Sequence, residues 1–336
     1  MSEYKGIKGL TIQEVASDPP APIEGQVWYN TTTSALKGYI NTPGAWATGG
    51  DLNTARANLG GAGTQTAALG FGGGSYPPPG ATESYNGSTW TEVNDLNFGR
   101  YALGGAGTQT AALAIAGDDQ PGGLNGPRQK TESWNGTNWT AVNDVNTGRI
   151  FAGTAGSTNT AALMFGGDGG ALGSVILTEN WNGTNWTEVN DMIVPAPFNS
   201  GQTSMGSAGT NTAALSFGGG ESPFAPTQSW NGTNWTEVND LNTGRQKLGG
   251  AGTQTSALAF GGTPNSPGLF GETESWNGTN WTEIADLGTA RYSLGSPEGG
   301  SPSSTAIAFG GSPTPVGGGA TEEFESGLFT KTFSTG

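Results

Sequence analysis

A twelve-residue string built around two tryptophans recurs along the chain and constrains the fold more than any other feature. It reads SWNGTNWTEVND from Ser229, and near copies begin at Ser84, Ser133, Asn180 and Ser275. The second aromatic residue of each copy marks the spacing of the repeats, and Trp46 and Phe329 occupy the same position in two further, weaker repeats. From one repeat to the next, this aromatic residue recurs every 44–49 residues. Such a period is typical of solenoids and propellers, whose units bury their apolar faces against each other. We therefore expect one repeating architecture.

One unit can be followed from Arg245 onward. A Gly-rich stretch, RQKLGGAG, suits a strand where backbones approach closely, and SALAFGG is an apolar run of strand length. A link of variable length leads to TESW, and an Asn-Gly pair, a strong hairpin signal, joins TESW to TNWTEV. The polar stretch NDLNTGR then leads into the next unit. Four antiparallel strands without a helix pattern predict a propeller blade.

These signals carry a family resemblance. An apolar strand ending in Gly-Gly, then Trp230, Trp235 and Arg245 in that order, resembles the kelch repeat, and the pattern extends from about Trp28 to Phe333. The residue sequence of the repeats also resembles that of kelch-like proteins of marine bacteriophages. The opening PPAPIEGQVWYNTTTSALKGY is similar to a short β module near the N-termini of phage virion proteins. The resemblance implies an all-β, kelch-like β-propeller of four-stranded antiparallel blades.

The number of blades is open between two values. Trp28 precedes Trp46 by 18 residues, much as Phe71 precedes Trp90 by 19, so the N-terminal stretch reads as part of an atypical extra blade. Seven blades are favoured on that ground, and six are the alternative. We expect the propeller to span 27–336. Residues 1–26 contain SDPPAPIEG, whose prolines favour an extended tether outside the sheets.

Composition excludes several classes of function. Lys and Arg number 12 against 27 Asp and Glu, a net charge of −15, which argues against nucleic acid as a partner and against anionic membranes. The chain has no Cys and no His, so thiolate chemistry is absent and the usual general base near neutral pH is missing. No run is long enough to insert into a membrane, and no signal peptide is visible. We expect no enzymatic activity, no cofactor and no metal.

The repeated tryptophans and arginines are expected to hold the frame. Each Trp is interpreted as a wedge between blades, with a sugar-stacking platform as the alternative reading. The arginines lie five residues after an Asp in the turn between blades, as Asp240 does before Arg245, which predicts an Asp–Arg ion pair. A ring of arginines that binds an anion is the other reading. The structural set is Trp90, Trp139, Trp186, Trp235, Trp281, Arg100, Arg149, Arg245 and Arg291.

Variation between repeats is concentrated in the link from the second strand to the third. These variable links are 74–81, 118–130, 168–177, 220–226, 263–272 and 312–320. In a four-stranded meander they share one face with the connections between blades, and loops on a fixed frame are where recognition residues usually lie. Asp118 and Asp119 offer oxygen ligands for Ca²⁺, but no EF-hand spacing accompanies them. The candidate partner-binding residues of this face are Tyr76, Asp118, Asp119, Arg128, Val175, Ile176, Phe198, Phe224 and Phe270.

Two functional hypotheses follow. The first is a non-enzymatic structural protein of a phage virion, such as a tail fibre or capsid-surface component, made in the host cytoplasm. Its binding face would serve host attachment or assembly of the virion surface. Its partners would be other virion proteins through the N-terminal segment and a host surface glycan or protein, and it would form a homo-oligomer in the particle. The alternative is a carbohydrate-binding lectin or a glycan-active propeller enzyme.

Overall fold

A computed structural model describes residues 12–74, 78–119, 128–194, 201–220, 225–264, 268–299, 302–313 and 318–333. The chain forms two compact units, a terminal unit of Met1–Ala45 with Glu325–Gly336 and a propeller unit of Trp46–Phe324. A short 3-10 turn spans Gly170–Leu172. The strands are β1 (Gln13–Val15), β2 (Val27–Asn30), β3 (Ala35–Thr48), β4 (Gly60–Thr64), β5 (Ala67–Phe71), β6 (Thr82–Tyr85), β7 (Trp90–Val93), β8 (Gly104–Thr108), β9 (Ala111–Ile115), β10 (Thr131–Trp134), β11 (Trp139–Val142), β12 (Gly153–Thr158), β13 (Ala161–Phe165), β14 (Thr178–Trp181), β15 (Trp186–Val189), β16 (Gly206–Thr210), β17 (Ala213–Phe217), β18 (Thr227–Trp230), β19 (Trp235–Val238), β20 (Gly249–Thr253), β21 (Ser256–Phe260), β22 (Thr273–Trp276), β23 (Trp281–Ile284), β24 (Thr305–Phe309) and β25 (Thr321–Phe333).

The propeller unit consists of antiparallel blades of the predicted kind. Five four-stranded sheets follow chain order and are called blades 1 to 5: β4–β7, β8–β11, β12–β15, β16–β19 and β20–β23. The Asn-Gly turns join the third and fourth strands as expected. In blade 2, for example, Asn135 Oδ1 accepts hydrogen bonds from the backbone N–H groups of Thr137 and Asn138 at 2.9 and 2.8 Å. The predicted all-β propeller of four-stranded blades is confirmed.

Blade 6 is built from both ends of the propeller unit. Gly295 pairs with Phe309 of β24, and β24 is followed in the sheet by β25 and then β3. Trp46 of β3 lies 5.3 Å from Phe324 of β25 between ring centroids, the relation that Trp230 and Trp235 show at 5.5 Å in blade 4. Trp46 is therefore the outer-strand tryptophan of blade 6 rather than of a seventh blade. The sheet order of the described residues corresponds to the six-blade alternative.

The terminal unit places β1 beside β2 in a parallel pair, and β2 pairs with β3 in antiparallel register. Asp18 accepts hydrogen bonds from Trp28 Nε1 at 2.9 Å, Asn30 Nδ2 at 2.7 Å and Lys37 Nζ at 2.7 Å. These bonds hold the segment that was expected to be a tether outside the sheets. Residues 13–15 therefore join a sheet, whereas the stretch 1–26 was expected to lie outside the sheets.

The first strands of blades 1 and 2 approach each other so closely that a side chain is excluded at Gly105. A Cβ on Gly105 of β8 would lie 2.1 Å from the carbonyl oxygen of Gly61 on β4, closer than van der Waals contact allows. The second strands are apolar along their length because neighbouring blades cover both of their faces; Leu215 and Phe217 of β17 are fully buried. The position of each strand relative to the axis therefore explains its composition: the first strands, nearest the axis, are Gly-rich, and the second strands, covered on both faces, are apolar.

The second tryptophan of each repeat lies between two blades. The Trp235 ring is 4.8 Å from the Phe165 ring of blade 3, and its Nε1 donates to Thr178 Oγ1 of that blade at 3.0 Å. Trp90, Trp139 and Trp281 make the same pair of contacts with a Phe and a Thr of the preceding blade. Trp186 is also buried, in the cluster between blades 2 and 3.

The arginines have a different partner from the predicted one. Arg149 Nη1 lies 2.7 Å from Glu179 Oε1 of the third strand, and both side chains are fully buried. Asp–Arg pairing is thus wrong, because the guanidinium turns into the blade interior while the Asp caps the third strand at its surface. Asp240, for example, accepts from the Thr227 N–H at 3.0 Å. The other Arg–Glu pairs are Arg56–Glu83, Arg100–Glu132, Arg245–Glu274 and Arg291–Glu322, at 2.5–3.1 Å.

Candidate binding face and axial cavity

The variable links and the connections between blades lie on one face, as the hairpin order predicts. Isolated β-bridges join them in four blades: Tyr101 to Asp118, Ile150 to Asp168, Gln246 to Thr263 and Tyr292 to Ser312. We call this surface the variable face. The Asn-Gly turns lie at the other end of the strands, so the two ends of the propeller unit differ in how much their sequences vary.

A ring of six backbone hydrogen bonds closes the centre of the variable face. Each residue of the ring precedes a first strand, has a left-handed φ of 52–59°, and donates its N–H to the carbonyl oxygen of its counterpart in the neighbouring blade at 2.7–3.0 Å. Since each donor is also an acceptor, the cycle returns to its start after six blades. Sequence patterns gave no sign of it, because left-handed φ is uncommon for residues other than Gly. The ring residues are Asn58, Ala102, Phe151, Ser204, Lys247 and Ser293.

A cavity of 80 Å³ lies inside this ring on the axis. Its lining includes the ring residues, the apolar residue that follows each of them, and Glu298. Glu298 Oε2 lies 2.6 Å from Ser207 Oγ and 3.2 Å from Thr154 Oγ1. Burial raises the pKa of Glu298 to about 7, although bonds from Ser207 and Thr154 favour the ionised form. Space of this size accommodates water or a small ion and not a sugar ring.

Two of the predicted site residues form an ion pair inside the link of blade 2. Arg128 Nη2 lies 2.9 Å from Asp118 Oδ2, and both residues are buried. Their chemistry is thus engaged in holding the two ends of the link together rather than offered to a partner. Asp119 is half-buried beside them. The described residues contain no group of three or more His, Cys, Asp or Glu side chains that could hold a metal ion.

Val175 and Ile176, two of the predicted partner-binding residues, lie in the variable link of blade 3. They line an apolar pocket of 400 Å³ on blade 3 together with Leu172 and Val194. Phe270 is half-buried, and its backbone bonds Gly262 and Arg291, so it serves the fold of its own loop as well. The remaining predicted residues, Tyr76, Phe198 and Phe224, lie outside the described residues.

Several exposed apolar side chains of the variable face were missed by the sequence reasoning. Leu172 is 67% exposed, the highest value among the large apolar residues of the links and connections that the structure describes. The signal that could have found them is position, because each lies in a variable link or a connection between blades. They are Phe98, Leu172, Ile193, Val194 and Leu269. Of these, Phe98 is partly covered by Lys130, whose Nζ lies 5.5 Å from the ring centroid.

Comparison with known proteins gives no assignment. No protein-family model matches the chain, and a search of curated proteins finds no match. Within the described part of the chain, no helix is long and apolar enough to cross a membrane.

Proposed function

We propose that this chain is a non-enzymatic binding protein that contacts a macromolecular partner through its variable face. One observation carries the proposal: the links that differ between otherwise near-identical blades also expose apolar side chains beside a 400 Å³ apolar pocket. The repeated Asn-Gly turns at the other end are polar and nearly invariant within the chain. When a partner covers exposed apolar residues among polar neighbours, their burial stabilises the complex.

The biological setting is proposed from the resemblance to phage proteins. In that setting the chain is a structural protein of the virion, at a tail fibre or capsid surface, with the terminal unit facing other virion proteins. The net charge of −15 favours a neutral glycan or a protein as the partner over a polyanion. The apolar pocket suits a protein surface or the apolar face of a sugar.

Binding of fluorescently labelled protein to cells tests the face assignment. In the proposed phage setting the cells are those of the host. The test variant carries Leu172→Ser and Leu269→Ser, on the links of blades 3 and 5. Leu269 is chosen over Phe270 because it is more exposed, so its loss should leave the fold intact. We expect cell binding to be lost at unchanged thermal stability.

A matched control changes the opposite face. Thr137→Ala and Thr233→Ala remove exposed side chains of two Asn-Gly turns and should leave binding intact. If only this control lost binding, the contact would lie on the face of the Asn-Gly turns, and the assignment to the variable face would be wrong. Mass spectrometry of purified particles tests the virion setting separately. Hydrolysis of a cell-surface glycan by the wild-type chain would support the glycan-active alternative instead.

A further inference from the structure

The first strand of blade 6 departs from the repeat at the axis. Other blades carry Gly at the position of Glu298, as in Gly63 of blade 1 and Gly209 of blade 4. Blades 3 and 4 also depart from the repeat, since Thr154 and Ser207 stand where Gly61 stands in blade 1. These three exceptions come together in space, because the Glu298 carboxyl group contacts both hydroxyl groups.

These contacts cross the axial channel. Blade 6 has blades 5 and 1 as its neighbours in the ring of hydrogen bonds, and blade 3 lies opposite. The backbone that follows Glu298 crosses as well: a Cβ on Gly299 would come within 2.0 Å of the Gly156 carbonyl oxygen of blade 3. Glycine at the corresponding position of blades 1, 2 and 5 (Gly61, Gly105 and Gly250) leaves the space for this crossing.

We propose that Glu298 makes closure of the propeller proton-dependent: the neutral side chain bridges blade 6 to blades 3 and 4 without a buried charge, and its ionisation places an uncompensated charge at the axis that destabilises the closed ring. Blade 6 is where such a bridge matters most. Its strands come from residues near 295, from β24 and β25, and from the end of β3, so its integrity requires the two ends of the propeller unit to stay together.

The charges around Glu298 support a proton as the controlling ligand. The first strands β4, β8, β12, β16 and β20 contain no ionisable residue. Lys247 of blade 5 also lines the cavity, but its Nζ lies 5.6 Å from the Tyr292 ring centroid, which holds the ammonium group against that ring. No cation is among the groups that shift the pKa of Glu298, and its rise to about 7 comes from burial.

The direction of the pH effect follows from proton linkage. The ordinary pKa of 4.5 applies to the unfolded chain and a pKa of about 7 to the folded one. Between these values the folded protein holds a proton that the unfolded chain has lost. The free energy of unfolding therefore falls as pH rises through this window, and this group adds no pH dependence below it.

Thermal unfolding of the full-length chain at pH 5 and pH 8 tests the proposal. Glu298→Gln mimics the protonated side chain and avoids the buried charge. Its melting temperature should lie close to that of the wild type at pH 5 and exceed it by several degrees at pH 8. Glu237→Gln, at an exposed strand position of blade 4, is the matched control and should differ from the wild type equally at both pH values. A pH-independent difference for Glu298→Gln would overturn the proposal.

A second variant protects the test against a folding defect. Ser207→Ala removes the donor of the 2.6 Å hydrogen bond, which favours the ionised form, so the midpoint of the stability loss should move to higher pH. Hydrogen exchange, corrected for its intrinsic pH dependence, should be faster at pH 8 in the wild-type peptides around 295–299 and 206–210. An unchanged midpoint in Ser207→Ala together with pH-independent exchange would refute the bridge.

Discussion

Gln228 Nε2 donates a 2.9 Å hydrogen bond to Gln202 Oε1 in blade 4, at the position where five other junctions pair a buried Arg with a buried Glu. Both members of the ion pair are replaced together, and no charge is left behind. Gln202 also donates to the Gly218 carbonyl oxygen, while Gln228 bonds the backbone of Ile193 in both directions. A neutral, hydrogen-bonded Gln pair thus occupies the buried position that an Arg–Glu ion pair occupies in the other blades.

The first prediction uses blade 4 as a template for blade 5. Arg245→Gln or Glu274→Gln alone leaves one buried charge unpaired and should cost about 3–5 kcal/mol of unfolding free energy. The double variant Arg245→Gln, Glu274→Gln recreates the Gln pair and should cost far less than the sum. Urea unfolding of the four proteins measures this coupling. Additive losses would show that the pair in blade 4 depends on other features of that blade.

A second prediction concerns the wedge between blades 3 and 4. Trp235→Ala removes the ring that packs on Phe165 and should cost about 3–5 kcal/mol. Thr178→Val keeps the shape but deprives the Trp235 indole N–H of its acceptor, at a cost of about 1–3 kcal/mol. Thr236→Ala, exposed on the same strand as Trp235, is the control for chemical denaturation. A Trp235→Ala protein that unfolds like the parent would contradict the wedge assignment.

A third prediction is acid sensitivity of the terminal unit. Hydrogen bonds from Lys37, Asn30 and Trp28 lower the pKa of Asp18 from 3.8 to about 2. A lowered pKa stabilises the fold above the ordinary value, and this contribution is lost as pH falls from about 4 to 2. The indole N–H NMR signal of Trp28 should shift in that window. Asp18→Asn should abolish the transition and Glu14→Gln should not; a transition that persists in Asp18→Asn would assign it to another group.

The fourth prediction separates the two units. Deleting residues 1–26 removes β1 and Asp18, so the rest of the terminal unit should lose protection from hydrogen exchange. The propeller unit should remain folded and soluble, since all of the deleted residues belong to the terminal unit. The cooperative melt of the tryptophan signal measures this. An insoluble product would mean that the deleted segment is needed for folding of the propeller unit.

Much of the frame could be read from the repeat. Strand number per blade, the Asn-Gly hairpins and the shared face of the variable links follow from local signals that recur in phase. The Arg partner could not be read that way. Asp240 and Glu274 both have counterparts in the other repeats that contain this Arg. Only the tertiary structure shows the direction of the Arg245 side chain, and with it which of the two acidic residues is the partner. Candidate site residues were found where loops vary, but the exposure of Leu172 and Leu269 follows only from the tertiary structure.

By itself, the sequence determined the class of fold, because a repeated pattern of Gly-rich, apolar and Trp-containing strands can bury its faces only against copies of itself. The tertiary structure decided the contacts between residues that closure of the ring brings together. Trp46 and Phe324 are far apart in the chain, yet they form one blade, and Glu298 meets Thr154 and Ser207 across the axis. Such contacts leave no periodic trace, since they arise where the repeat is broken and the distance between partners is set by the whole ring.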